Sequence, residues 1–140
     1  MFPTIIGFTA GIFIIFFFRL FKGVNEATLY GLLLSGIGFI YVGFTWSSFG
    51  ALAVNLLQAT VFIFLAYLGI KKNNRFLIAG YFLHGVWDLC YSLFVSSALI
   101  PPHYDWFCLT VDFTIGAYLF GRSVSKLRSK TSLTIQQAQN

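Results

Sequence analysis

The chain has 140 residues, of which 58% are hydrophobic, 20% aromatic and 9% charged, and its formal net charge is +5. Soluble domains carry about 25% charged residues, so this composition argues against a water-soluble protein and indicates an integral membrane protein. The nine Lys and Arg residues are separated by apolar segments, and this distribution argues against the single basic face that nucleic-acid binding requires.

Five apolar runs follow one another, and each is long enough, or nearly so, to cross a hydrocarbon core of about 30 Å as a helix. The predicted spans are residues 3–19, 27–46, 49–70, 76–100 and 106–121. Asn25, Asn74 and Asp105 are suited to begin the second, fourth and fifth spans, because their side chains can cap a helix. Pro101 and Pro102 end the fourth span, since proline cannot continue a helix.

The basic residues predict the orientation of these spans. They occur at 19–22, 71–75 and 122–130, whereas the connections 47–50 and 101–105 have none. With the amino terminus outside, all nine basic residues lie in the cytoplasm, as the positive-inside rule requires. We therefore predict an all-α fold, a polytopic bundle of five transmembrane helices with its N-terminus outside and its C-terminus cytoplasmic.

This topology also sets the expected domain organisation and location. Residues 1–121 form a single transmembrane domain, and residues 122–140 form a basic and then polar cytoplasmic tail. We expect a multi-pass protein of the cell membrane, in the bacterial inner membrane. The partners we expect are the lipid bilayer and a hydrophobic or amphipathic small ligand, with homo-oligomerisation left open and nucleic acid excluded.

One stretch of the fourth span combines a base and an acid. Residues 82–91 read FLHGVWDLCY, and His84 and Asp88 share a helix face because residues i and i+4 are neighbours. The topology puts Asp88 near mid-bilayer and Asp112 of the fifth span at a nearby depth. A charge at mid-bilayer costs about 2.5–3.5 kcal/mol, so we expect at least two of the three to be functional. The alternative is a structural contact that locks two helices together.

Other polar and aromatic residues lie at similar depths. Asn55 and Gln58 share a face of the third span, and Tyr81 and Tyr91 extend the His84 face by one turn each way. We predict a ligand-binding set of Asn55, Gln58, Tyr81, Trp87 and Tyr91. The alternatives are interhelical hydrogen bonding for the two amides and core packing for the two tyrosines.

Proton exchange is the chemistry that the histidine and the two aspartates of the fourth and fifth spans favour. His84, Asp88 and Asp112 are predicted catalytic residues that accept and donate protons. The leading hypothesis is a membrane protein that binds or moves a small or amphipathic ligand with proton coupling. A second is a membrane-embedded acid/base enzyme, of isomerase or cyclase type, acting on a lipid or isoprenoid. A third is a structural or accessory subunit, so enzymatic activity stays open.

We expect no metal and no cofactor. His84, Asp88 and Asp112 offer three ligands, but the usual facial triad has two histidines, and His103 lies in the outer loop. The two cysteines form no C-x-x-C motif, which argues against a thiol redox site.

The motifs FLHGVWD and CLTVD also resemble those of an uncharacterised bacterial family of small polytopic membrane proteins. In that family one helix carries L-H-x-x-W-D and the next carries a cysteine four residues before an aspartate. The matching positions are His84, Trp87, Asp88, Cys108 and Asp112, within residues 76–121. Tyr91 and Val111 depart from the family, where a histidine and a second cysteine are frequent. The resemblance implies that Asp112 pairs with the His84 helix, and it implies no activity.

Overall fold

The computed structural model describes residues 2–94 and 100–138, and these residues form helices without any strand. The helices are α1 (Phe2–Leu20), α2 (Glu26–Gly38), α3 (Ile40–Thr45), α4 (Phe49–Lys71), α5 (Arg75–Phe94) and α6 (Tyr104–Ala138). The all-helical fold class predicted from the sequence is therefore confirmed.

Three segments are long and apolar enough to cross a membrane: Phe2–Leu20, Glu26–Thr45 and Phe49–Lys71. Large apolar side chains cover their outer faces, and Phe13 and Leu57, for example, are 65% and 69% exposed. Such faces are compatible with lipid and unfavourable in water. The helices α5 and α6 carry His84, Asp88 and Asp112 among their apolar residues.

Several helix boundaries differ from the predicted spans. The second span is divided at Phe39, whose N–H bonds to the carbonyl of Gly36 (3.1 Å) instead of the residue four positions earlier. The last helix continues to Ala138, well beyond residue 121. The described part of α5 ends at Phe94, and the predicted stretch over 95–99 lies outside the described residues.

The helix starts follow local capping chemistry. The Asn25 side chain accepts a hydrogen bond from the N–H of Ala27 (2.9 Å) and caps α2, as its position predicted. At α5, the side chain that accepts a bond is that of Asn73, from the N–H of Arg75 (3.0 Å), and not that of Asn74. Asp105 lies within the first turn of α6, where the helix dipole favours an acid.

Glycines let α1 lie close against α6. A Cβ placed on Gly7 would collide with the Thr110 side chain and the Phe107 carbonyl, and one on Gly11 would lie 2.9 Å from the Thr114 Cβ. The G-x-x-x-G pair of α1 is therefore used for packing inside the chain.

The interior contains one apolar cluster, made by α2, α4, α5 and α6. Its buried members include Tyr30, Leu34, Phe62, Ala66, Leu77, Tyr81, Ile115 and Leu119. The Phe62 ring of α4 meets the His84 ring of α5 edge to face, with centroids 4.7 Å apart. This contact places the His84 side chain directly against the apolar core.

Candidate functional site

The candidate site centres on one imidazole nitrogen that two carboxylates share. Nδ1 of His84 lies 2.8 Å from Oδ2 of Asp112 and 3.2 Å from Oδ2 of Asp88. The three residues are 1%, 1% and 0% exposed, respectively. The structure thus brings together, out of water, the three residues for which the sequence predicted proton exchange.

Two local features position this group. His84 and Asp88 face the same way because they are one helical turn apart on α5. Gly85 lets α6 approach at this level, since a Cβ there would lie 2.9 Å from the Phe113 ring. The close approach brings Asp112 of α6 within hydrogen-bond distance of an α5 side chain.

The group combines two acidic side chains with one basic side chain. In the described part of the chain, the ion pairs of both aspartates are with His84. With a neutral imidazole and two ionised carboxylates the net charge is −2, and each bound proton brings it one unit closer to zero. Because a net charge inside a helical bundle is costly, the site favours bound protons or another cation.

Half of the unsatisfied polar atoms in the described residues belong to this group. Eight buried side-chain nitrogen and oxygen atoms of the described residues have no hydrogen-bond partner in the protein. One of them is Oδ2 of Asp88, whose contact with His84 is an ion-pair distance of 3.2 Å and not a hydrogen bond. They belong to Asn55, Gln58, His84, Trp87, Asp88 and Asp112. Leaving a buried polar atom unpaired costs about 1–3 kcal/mol, and such atoms are rare in natural proteins. All six residues are among those that the sequence selected as candidates.

A second polar network lies beside the first. Nδ2 of Asn55 lies 2.7 Å from Oγ1 of Thr45 and 2.8 Å from the hydroxyl of Tyr91. Thr45 is on α3, Asn55 on α4 and Tyr91 on α5, so one amide links three helices. Asn55 and Tyr91 are therefore close to each other, while the Oδ1 atom of Asn55 remains unpaired.

Gln58 and Trp87 line a different surface. A groove of about 420 Å³ runs between α4 and α5, and both residues lie along it with several apolar side chains. Leu57 and Leu83 on this groove are 69% and 54% exposed, so it opens outward from the bundle. Both amide atoms of Gln58 and the indole nitrogen of Trp87 are unpaired.

Tyr81 has a structural contact instead of an unpaired group. Its hydroxyl donates to the backbone carbonyl of Tyr30 (2.7 Å), and the two rings meet edge to face. The side chain is fully buried. Tyr81 therefore ties α5 to α2, whichever further role it has.

Two cavities border the shared histidine and its carboxylates. One, of about 140 Å³, is lined by His84 and Asp112 together with Tyr104, Cys108 and apolar residues. The other, of about 150 Å³, is lined by Asp88 and Tyr91 together with the loop that contains His103. Tyr41 lines both cavities.

Sequence reasoning missed Tyr41 and Thr45 as site residues. Both are buried, and Thr45 donates to the Tyr41 carbonyl (2.8 Å) one turn away. A signal was present, because two polar side chains four residues apart in an apolar span share one helix face. The Tyr104 ring packs edge to face on that of Tyr41, with centroids 6.2 Å apart.

The same trio is the group that could hold a metal ion in the described part of the chain. One donor atom from each of His84, Asp88 and Asp112 lies within 4.8 Å of the others. His103 has an unusual positive φ of 63° and lines the cavity beside Asp88. A single imidazole and two carboxylates suit a proton as well as a metal, so the donor set alone does not require a metal.

Comparison with known proteins gives one match. The model of a family of unknown function, DUF6010, matches residues 2–125, which covers all the candidate residues. No curated protein and no solved structure matches the chain.

Proposed function

We propose a function for this chain, which belongs to the family of unknown function DUF6010, from the chemistry of its buried site. It is a multi-pass protein of the bacterial cell membrane that binds or moves a small or amphipathic ligand. The group formed by His84, Asp88 and Asp112 takes up and releases a proton during this cycle.

The proposed topology has five spans with the amino terminus outside. Beyond the three apolar segments, α5 has 20 residues, and at about 1.5 Å per residue that length matches a hydrocarbon core of about 30 Å. α6 is longer still. The positions of the nine basic residues support the cytoplasmic assignment of the tail.

The observation that carries the proposal is the sharing of Nδ1 of His84 by two buried carboxylates. Two protons bring the group to zero net charge, and removal of either leaves a charge away from water. Release of a proton therefore becomes favourable when another positive charge, or the positive end of a ligand, enters the site. This exchange couples ligand binding to proton movement.

The surrounding residues supply the ligand-binding part of the proposal. The cavity beside His84 and Asp112 is mostly apolar, with Tyr41 and Tyr104 on its wall. An amphipathic ligand would place its polar end against the carboxylates and its apolar part against this wall. We assign Asn55, Gln58, Trp87 and Tyr91 to orienting the ligand or the site, since three of the four have unpaired polar atoms.

Proton release on ligand addition tests this function. Purified protein in weakly buffered detergent solution would be titrated with a panel of amphipathic cations while a pH dye records released protons. We expect at least one compound to release protons from the wild type and from Glu26→Gln, which removes a carboxylate paired with Arg122 away from this site, but not from Asp112→Asn or Asp88→Asn. Release that is equal in all four proteins, or absent for every compound, would contradict the proposal.

The groove between α4 and α5 favours a second candidate, an acid/base enzyme acting on a lipid or isoprenoid. The groove is apolar and opens toward the region that lipid would occupy, with Gln58 and Trp87 along it. Incubation of the protein with a membrane lipid extract, followed by mass spectrometry, would reveal an isomerised or cyclised product. His84→Ala should abolish that product, whereas a product formed equally by this variant would exclude the site as its catalyst.

A further inference from the structure

A second polar site lies at the other end of the bundle, where α2 begins and α6 leaves the apolar region. Here Glu26 and Arg122 form an ion pair (3.0 Å), and the Tyr118 hydroxyl donates to the second carboxylate oxygen of Glu26 (3.0 Å). Arg122 also contacts the Tyr118 hydroxyl (3.3 Å). The Glu26 carboxylate is thus already matched by a cation.

Beside this ion pair is a cavity of about 370 Å³. It is bordered by the start of α2, by the connection between α4 and α5, and by α6. Lys72 and Lys126 lie on its wall with the amide side chains of Asn73 and Asn74. Three separate parts of the chain therefore converge on one polar cavity.

The charge of this cavity is positive. Lys72 and Lys126 form no ion pair with the carboxylates of the described residues, and Glu26 is matched by Arg122. Two ammonium groups thus face the cavity without a counter-ion from the described chain. Ammonium groups and amide N–H groups donate hydrogen bonds to phosphate oxygens.

Apolar side chains line the cavity together with these polar groups. Ile70 and Leu119 contribute to it, next to the part of each helix that is predicted to enter the bilayer. A molecule bound here would have its anionic group against the lysines and an apolar part directed along the helices. This combination is typical of a phospholipid, and basic pockets between helices on the cytoplasmic side are known to bind such headgroups.

We propose that this cavity binds the phosphate group of an anionic phospholipid, with Lys72 and Lys126 as its charged contacts. The site is separate from the buried histidine and does not depend on its role. Each lysine near an anionic headgroup contributes roughly fivefold in affinity, so loss of both should weaken binding roughly 30-fold.

Binding of short-chain lipids to the full chain tests the proposal. The detergent-solubilised protein would be titrated with a short-chain phosphatidylglycerol, with a phosphatidylcholine of equal chain length, and with inorganic phosphate. We expect tight binding of the first, weak binding of the second, and weak binding of free phosphate. The double variant Lys72→Gln with Lys126→Gln should lose most of the phosphatidylglycerol affinity.

A matched control removes the same charge from neighbouring positions. Lys71 and Arg128 are exposed and do not line the cavity, so Lys71→Gln with Arg128→Gln should retain the affinity. Equal loss in both double variants would overturn the site in favour of general surface charge. If free phosphate bound as tightly as the lipid, the lipid would be overturned as the occupant. If neither bound, the cavity would be overturned as a phosphate-binding site.

Discussion

Removal of the two carboxylates that share His84 should destabilise the protein non-additively. Asp88→Asn and Asp112→Asn keep the size of each side chain and remove its charge. Asp112 makes the shorter contact, and a hydrogen bond between charged groups contributes about 1.5–3 kcal/mol. After its loss, Asp88 still lies 3.2 Å from the same nitrogen and can act as the partner of the imidazole.

The double variant has no such replacement. Breaking a buried ion pair costs about 3–5 kcal/mol, and this cost appears only when both carboxylates are gone. We therefore expect a coupling free energy of about 0.5–3 kcal/mol between the two substitutions, in the range found for side chains that share a partner. The double variant should be less stable than the sum of the single variants indicates.

Reversible unfolding in mixed micelles, followed by circular dichroism, measures these free energies. As a control, Asp88→Asn would be combined with Thr60→Val, because Thr60 is exposed and bonds only to the Leu56 carbonyl of its own helix. That pair should be additive within about 0.5 kcal/mol. Additivity of the two aspartate substitutions would refute the view that both carboxylates act on one histidine.

Three further predictions concern packing, the second polar network and topology. Gly7→Ala should destabilise the protein by about 1–3 kcal/mol, because the added Cβ would collide with α6. Gly43→Ala should not, since its added Cβ meets no other part of the described chain within 4 Å beyond its own helix backbone and chain neighbours; thermal unfolding compares the two variants. Asn55→Leu should lower the free energy of unfolding by about 1–3 kcal/mol, since Thr45 and Tyr91 lose a buried donor. The same unfolding experiment in micelles measures this change, and an unchanged free energy would show that the network does not stabilise the bundle. In a cysteine-free background, Ser47→Cys should react with an impermeant thiol reagent in intact cells and Ser129→Cys only after lysis; the reverse pattern would contradict the orientation.

Much of the candidate site follows from spacing and depth in the sequence. His84 and Asp88 are one turn apart, and Asp112 lies at a similar depth in the next span, so the sequence predicts that these three side chains lie close together. The contacts of His84 with both aspartates agree with that predicted proximity, while the roles of the three residues stay predictions. Residues that share a depth and a helix face are recognisable because helical geometry is regular.

The partners of the other residues did not follow from the sequence. Spacing gives the face on which Tyr81 lies, but the helix opposite that face depends on tertiary packing, and this helix proved to be α2. Thr45 reaches Asn55 from α3, beyond the break at Phe39, and a break changes the direction of every later side chain. The length of α6 was underestimated because a predicted membrane span ends where apolar residues become less frequent, here after residue 121. A helix itself is typically ended by Gly or Pro, and neither residue occurs over 122–138.

Infrared difference spectroscopy of the protein in lipid, between acidic and alkaline pH, most directly tests whether the His84 group holds an exchangeable proton. We expect the band of a protonated carboxylic acid to change with pH and to shift in deuterated water. It should be lost or displaced in both Asp88→Asn and Asp112→Asn and be retained in Glu26→Gln, which removes a carboxylate outside this site. A spectrum that is the same in the wild type and in both site variants would contradict proton exchange and would assign the three residues to holding α5 and α6 together.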